Sequence, residues 1–347
     1  MRGPSLPRRR SLLAALAALA GAPGVGATTA PPASRLPRLL LAGPFASVSN
    51  PLIRMAESGA PADLAEGVEF VPWRDPDQLR VMALEGKADV LAMPVNVAAN
   101  LYNRGAKLRL LNVSTWGLLW VVSRDPSVTR LADLRGREIA MPFRGDMPDI
   151  LFGLVAEREG IDLRKDLRLR YVASPIDAMQ LLITRRVENA LLAEPAVSMA
   201  LRKTGSFPLS LVAPALHRAV DLQAEWGRAF GRDPCIPQAG IAVMASVMDR
   251  PEVVARIAGA YAQSLDWCNT NAPECGRIVA RHIDALSPEA VADAVATSRL
   301  RAVPAPDART ELEFLFGLLL KKNPAMLGGR LPPDDFYART QATGKSR

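Results

Sequence analysis

Histidine and cysteine are almost missing from this chain: two histidines, His217 and His282, and three cysteines, Cys235, Cys268 and Cys275. Residues so few and so scattered make no zinc-type ligand cluster and no disulfide scaffold. Neither histidine falls with a serine and an aspartate in a way that builds a nucleophilic triad. No catalytic set, no metal and no cofactor is expected. Basic residues are dispersed among acidic ones, with no aromatic-interleaved patch, which argues against nucleic acid as a partner. Beyond the N-terminus no apolar stretch approaches the ~20 uncharged residues needed to span a bilayer. Cys268 and Cys275 flank a turn between two expected helices; in an oxidising compartment they can bridge, or they remain two buried thiols.

What is present begins with an export-type leader. Arg8, Arg9 and Arg10 precede the apolar run 11–20, and small residues follow to Val25-Gly26-Ala27. That is the order of a cleaved signal, residues 1–27. Arg9-Arg10-Ser11-Leu12-Leu13 also resembles a twin-arginine address. Either route delivers a soluble, periplasmic protein. The chain carries +8 overall, and removing Arg2, Arg8, Arg9 and Arg10 leaves +4. About 320 residues follow the leader, enough for two domains.

Two strand–helix–strand units recur about 100 residues apart. In the first, strand 68–71 leads to a helix opened by Asp75-Pro76 and then to strand 88–93, closed by Pro94. In the second, strand 169–172 leads to a helix opened by Ser174-Pro175 and then to strand 189–193, followed by Glu194-Pro195. Such crossovers pair their strands in parallel. Strands are also expected at 39–42, 138–141 and 240–245, with a long helix from Pro251 to about Cys268. The segment 204–238 looks irregular, and helices continue toward Leu320. The runs 117–123 and 240–245 are read as two crossovers between lobes. Lobe one is then discontinuous, 35–118 with 241–340, and lobe two is 119–240.

The run Leu131-Ala132-Asp133-Leu134-Arg135-Gly136-Arg137-Glu138-Ile139-Ala140 resembles a segment of the nitrate/sulfonate/taurine-type binding proteins of ABC transporters. Val187 to Pro195, Asp249 to Val254 and the tail from Lys322 to Tyr337 extend the resemblance over nearly the whole chain after the leader. It implies a two-lobed type II periplasmic-binding-protein fold: α/β, with a mainly parallel sheet flanked by helices in each lobe and two crossover strands. It also implies closure on a small molecule between the lobes and its delivery to an ABC permease in the inner membrane; a monomer is expected. Enzymes of menaquinone and pyrimidine pathways share this fold, and a sensory subunit docking on a membrane receptor would use the same cleft.

Ligands of open α/β sheets sit beyond the carboxyl ends of the strands. The loop after the first strand offers Phe45, Ser47 and Asn50, the last also a candidate cap for the helix that Pro51 opens. The loop after the third offers Pro94 and Asn96. Phe143 to Pro148 opens a helix in lobe two, with Arg144, Gly145, Asp146 and Met147 as candidates; Asp146 either caps that helix or faces the ligand. The resemblance makes Glu194 a ligand contact. Trp116 and Phe45 can stack on a flat ligand, with Trp116 equally a candidate for the core, and Gln238 precedes the second crossover. If Asp146 and Glu194 both face the cleft, their charges disfavour nitrate or a simple sulfonate and favour an amine or a pyrimidine-like heterocycle. If only Arg144 does, an organic anion is favoured.

Overall fold

A computed structural model describes residues 35–207 and 215–340. The leader at 1–27 lies outside the described residues. Two sheets organise the rest. The first comprises β1 (Leu39–Gly43), β2 (Val68–Pro72), β3 (Val90–Pro94), β4 (Leu108–Leu110), β5 (Asn112–Gly117), β11 (Ala239–Met244) and β12 (Arg299–Pro304). The second comprises β6 (Leu119–Ser123), β7 (Glu138–Pro142), β8 (Arg168–Val172), β9 (Asn189–Ala193) and β10 (His217–Asp221).

Their strand orders are β12-β5-β11-β3-β1-β2, with β4 also on β11, and β10-β6-β9-β7-β8. In each, three parallel strands form the repeated unit: β1 pairs with β2 and β3, and β7 pairs with β8 and β9. The strand beside that unit is antiparallel and belongs to chain that has just crossed from the other sheet. β11 pairs with β3, and β6 pairs with β9. Both sheets are therefore mixed rather than mainly parallel. A strand that enters from the opposite lobe arrives from the cleft end, so it runs against strands whose carboxyl ends face the cleft.

The first crossing is confined to Gly117-Leu118-Leu119, between β5 and β6. The second precedes β11, which lies wholly in the first sheet, and follows a helix at Leu222–Phe230. The expected irregular segment thus contains β10 and that helix. β10 was hidden because its sequence, His-Arg-Ala-Val-Asp, lacks a β-branched run. β12 was hidden inside an expected helical stretch.

Eleven α-helices are present among the described residues: α1 (Asn50–Ser58), α2 (Pro76–Leu84), α3 (Val95–Asn103), α4 (Met147–Arg158), α5 (Pro175–Ile183), α6 (Ala196–Gly205), α7 (Leu222–Phe230), α8 (Pro251–Thr270), α9 (Ala272–His282), α10 (Pro288–Thr297) and α11 (Arg309–Lys322). None is long and apolar enough to cross a membrane.

The C-terminal helices bind the two halves together. Cys275, Ile278 and Val279 of α9, with Val291 and Val295 of α10, share an apolar cluster with Ala178 and Met179 of α5 and Val197 of α6. On α11, Phe314 packs edge-on against Trp226 and Phe230 of α7. The strands of 239–340 belong to the first sheet; of the helices between them, α8 packs on that sheet through Val253, Ile257 and Tyr261, while α9 and α10 reach across to α5 and α6. Cys268 and Cys275 are free and buried.

Candidate functional site

A cavity of about 570 Å³ lies between the carboxyl ends of the two parallel units. That is within the ~300–1,000 Å³ range of small-molecule sites. The strand-to-helix turns of both sheets build its walls. From the first sheet come Phe45, Trp73, Leu79, Met93 and Val97; from the second come Phe143, Met147, Ile176, Ala193 and Ala196. Leu118 and Leu119 of the first crossing and Gln238 and Ala239 of the second close its back, and His282 to Ala285 add to its lining.

Proline punctuates every one of these turns. α1, α2, α4 and α5 each carry one at their first or second position: Pro51, Pro76, Pro148 and Pro175. α3 and α6 have Pro94 and Pro195 at the cap. Proline suits these positions because its fixed φ fits the first helical turn and its missing N–H has no partner there anyway. The chemical result is a wall short of amide donors. Many remaining donors are used internally. Asp75 accepts from the N–H groups of Asp77 and Gln78, at 3.0 and 2.8 Å. The Ser174 hydroxyl accepts from Asp177 N–H, and Asp149 accepts from Gly145 N–H at 2.8 Å.

Asp146 occupies the cap position of α4, but its side chain makes no capping bond. It accepts instead from Arg80 of α2 at 2.8 Å, an ion pair between the two sheets' helices at the cavity wall. The cap expectation fails because a guanidinium competes better for a carboxylate than one backbone amide does. Burial raises the Asp146 carboxyl above its ordinary range, and Arg80 offsets only part of that rise.

Glu194 does not line the cavity. It is fully buried behind the wall, accepting from Arg218 at 2.6 Å, Thr297 Oγ1 at 3.0 Å and Ser198 N–H at 3.0 Å. Arg218 stands on β10, inside the segment whose sequence looks irregular, so nothing in the sequence reveals the partner.

The other expected contacts divide. Phe45, Pro94, Asp146, Met147 and Gln238 line the cavity. Ser47, Asn50 and Asn96 lie behind it, almost fully buried, each with one polar atom lacking a partner: Ser47 Oγ, Asn50 Nδ2 and Asn96 Oδ1. Asn50 is the first helical residue of α1 rather than its cap, because a short 3-10 turn at Ser47–Ser49 feeds directly into the helix. Trp116 is core: its indole N–H donates to Arg301 O at 3.1 Å and Arg301 covers its ring. Arg144 turns outward over Tyr171, 5.0 Å from the ring centre, and neither it nor Gly145 lines the cavity.

Gln238 has a second task. Its amide donates to Gln223 Oε1 at 2.9 Å, and Gln223 brackets both N–H and C=O of Leu119 at 3.1 and 3.0 Å. The two glutamines thereby tie the crossings to each other. Gly117 is required beneath them, since a Cβ there would lie 2.7 Å from Gln223 Cγ. The sequence reading missed Trp73, Leu79, Phe143 and Ile176 as lining residues. Proline beside an aromatic or branched residue at each turn was the available signal.

No protein-family model matches this sequence, and no curated protein matches it. Solved structures do. An ABC transporter protein from Parabacteroides distasonis is 21% identical, with a TM-score of 0.70 over 88% of this chain and 100% of that one. The periplasmic nitrate-binding protein of Synechocystis is 15% identical, with a TM-score of 0.65 over 83% of this chain and 82% of its own. The periplasmic aliphatic sulphonate binding protein of Escherichia coli is 14% identical, with a TM-score of 0.63 over 90% and 95%. The likeness extends over most of each chain, and what it shows is the fold: two α/β lobes joined by crossover strands, as in periplasmic binding proteins.

Proposed function

We propose that this protein is the solute-binding component of an ABC importer, exported to the periplasm, which captures a small organic molecule between its lobes and presents it to a permease. The observation that carries this reading is the cavity itself. It is bounded by strand-to-helix turns from both sheets, and an ion pair from α2 to the start of α4 spans it. A solute that touches both walls favours the closed arrangement by the difference in its contacts with the closed and open states. The order of basic, apolar and small residues over 1–27 supports export.

A thermal-shift screen tests this. At 100 times its Kd a true ligand adds ~2.7 kcal/mol of stability. That amount raises Tm by roughly several degrees for a chain of this size. A flat response across nitrate, sulfonates, taurine, amines, pyrimidines and aromatic compounds would exclude the binding role.

A further inference from the structure

The cavity's composition points to a narrower class of solute. Resting on the solute-binding reading above, we propose that the site selects a predominantly apolar, ring-bearing organic molecule and discriminates against small oxyanions.

Three observations carry this. First, a small oxyanion needs several converging donors, and this cleft withholds them. Six turns carry proline, and the amides of Asp77, Gln78, Asp177, Gly145 and Ser198 are already bonded to side chains of their own turns. Second, the charged groups lining the cleft are either paired or solvent-exposed. Asp146 is held by Arg80, and His282 lies 3.1 Å from Glu57. Arg74 and Asp284 line the cavity without an ion pair among the described residues, but both are solvent-exposed, where a charge is well hydrated and its pull on a small ion weak. Third, the wall supplies apolar surface from both lobes, including the rings of Phe45, Trp73 and Phe143. Phe143 has φ 55°, in the left-handed region, which disfavours a phenylalanine by ~1–2 kcal/mol. Strain of that kind concentrates at binding sites, where it places a group the fold alone would not.

The inside polar groups are few. Thr115 Oγ1 is buried in the wall without a partner, and the Gln238 amide donates to Gln223. They can orient a ring substituent but cannot surround an anion.

The experiment uses the full protein after removal of its leader. The probes are the neutral dye N-phenyl-1-naphthylamine and a panel of aromatic acids, amides and alcohols, set against nitrate, sulfate and methanesulfonate. The expected result is saturable dye binding at one site, displacement by some aromatic compounds, and no displacement or thermal shift with the three anions at millimolar concentration. Phe45→Ala and Phe143→Asn should each weaken dye binding about tenfold, while Phe45→Leu retains most of it. Thermal melts of each variant show whether it is folded. Dye affinity unchanged in folded Phe45→Ala and Phe143→Asn would overturn the assignment, since the dye would then sit elsewhere. Micromolar binding of an oxyanion with no aromatic binding would overturn the solute class and leave the binding role standing. Silence from the whole panel would remove both.

Discussion

Glu194 and Asp146 would act alike, as two carboxylates repelling an anion, if both faced the cleft, yet their neighbours give them different tasks. Glu194 is buried against Arg218, Thr297 and a backbone amide. Removing one partner of a buried pair leaves the other uncompensated. Glu194→Ala should therefore lower unfolding stability by ~3 kcal/mol in urea titration, while the folded fraction keeps its ligand affinity. A loss of affinity without loss of stability would make Glu194 a contact instead. Asp146 and Asp221 both pair with an arginine across the two sheets, and they titrate in opposite senses. Burial dominates at Asp146 and raises its carboxyl, so the stability it contributes is full below the unfolded value and is lost as pH rises through the folded one. Burial also works against Asp221, but Arg299 at 2.8 Å and the α7 amides more than offset it and hold the carboxyl low. Its contribution is present above the unfolded value and is lost as pH falls through the folded one. Urea titrations between pH 3 and 7 should show Asp221→Asn removing part of the acid loss. Asp146→Asn should instead remove a decline that appears on raising the pH from the acid side.

At the scale of single elements, the repeated unit depends on local rules that hold in both lobes. Asp75 and Ser174 cap α2 and α5, each just before a proline. Replacing Asp75 by Ala should cost ~1 kcal/mol, the usual value of an N-cap, read as a lowered urea midpoint with unchanged slope. The crossing strand β11 obeys a different constraint. Gly240 lies against β5 so closely that a Cβ would meet Asn112 O at 1.9 Å. Because that obstacle is backbone, no side-chain rotation relieves it. Gly240→Ala should destabilise by ~3 kcal/mol or more, the upper end for overpacking, and should disturb ligand binding because Ala239 and Gln238 adjoin the cavity.

For the molecule as a whole, the apolar core does not divide between lobes. One cluster contains Leu91 and Met93 of β3, Val121 of β6 and Ile139 of β7, together with Leu312, Leu315 and Phe316 of α11. Further ties between the halves run from Arg232 to Glu311 at 2.5 Å and from Arg202 to Asp293 at 2.5 Å. A shared core links the stability of its two sides, so unfolding should be a single transition. Tryptophan fluorescence and far-UV circular dichroism should give coincident urea curves. Two separated midpoints would mean that the sheets fold independently.

The repeated strand–helix–strand pattern and the proline and cap residues at each turn follow from local hydrophobic period and backbone chemistry, which the order of residues carries directly. That is why β1 to β3, β7 to β9, α2, α4 and α5 could be placed from sequence. The site was harder because its character depends on partners distant in the chain. Arg80 is 66 residues from Asp146, and Arg218 is 24 from Glu194. Only the tertiary structure brings those guanidinium groups to the carboxylates, neutralising what the sequence presents as exposed negative charge. What then opposes small anions is the scarcity of free amide donors in a proline-lined, apolar cleft.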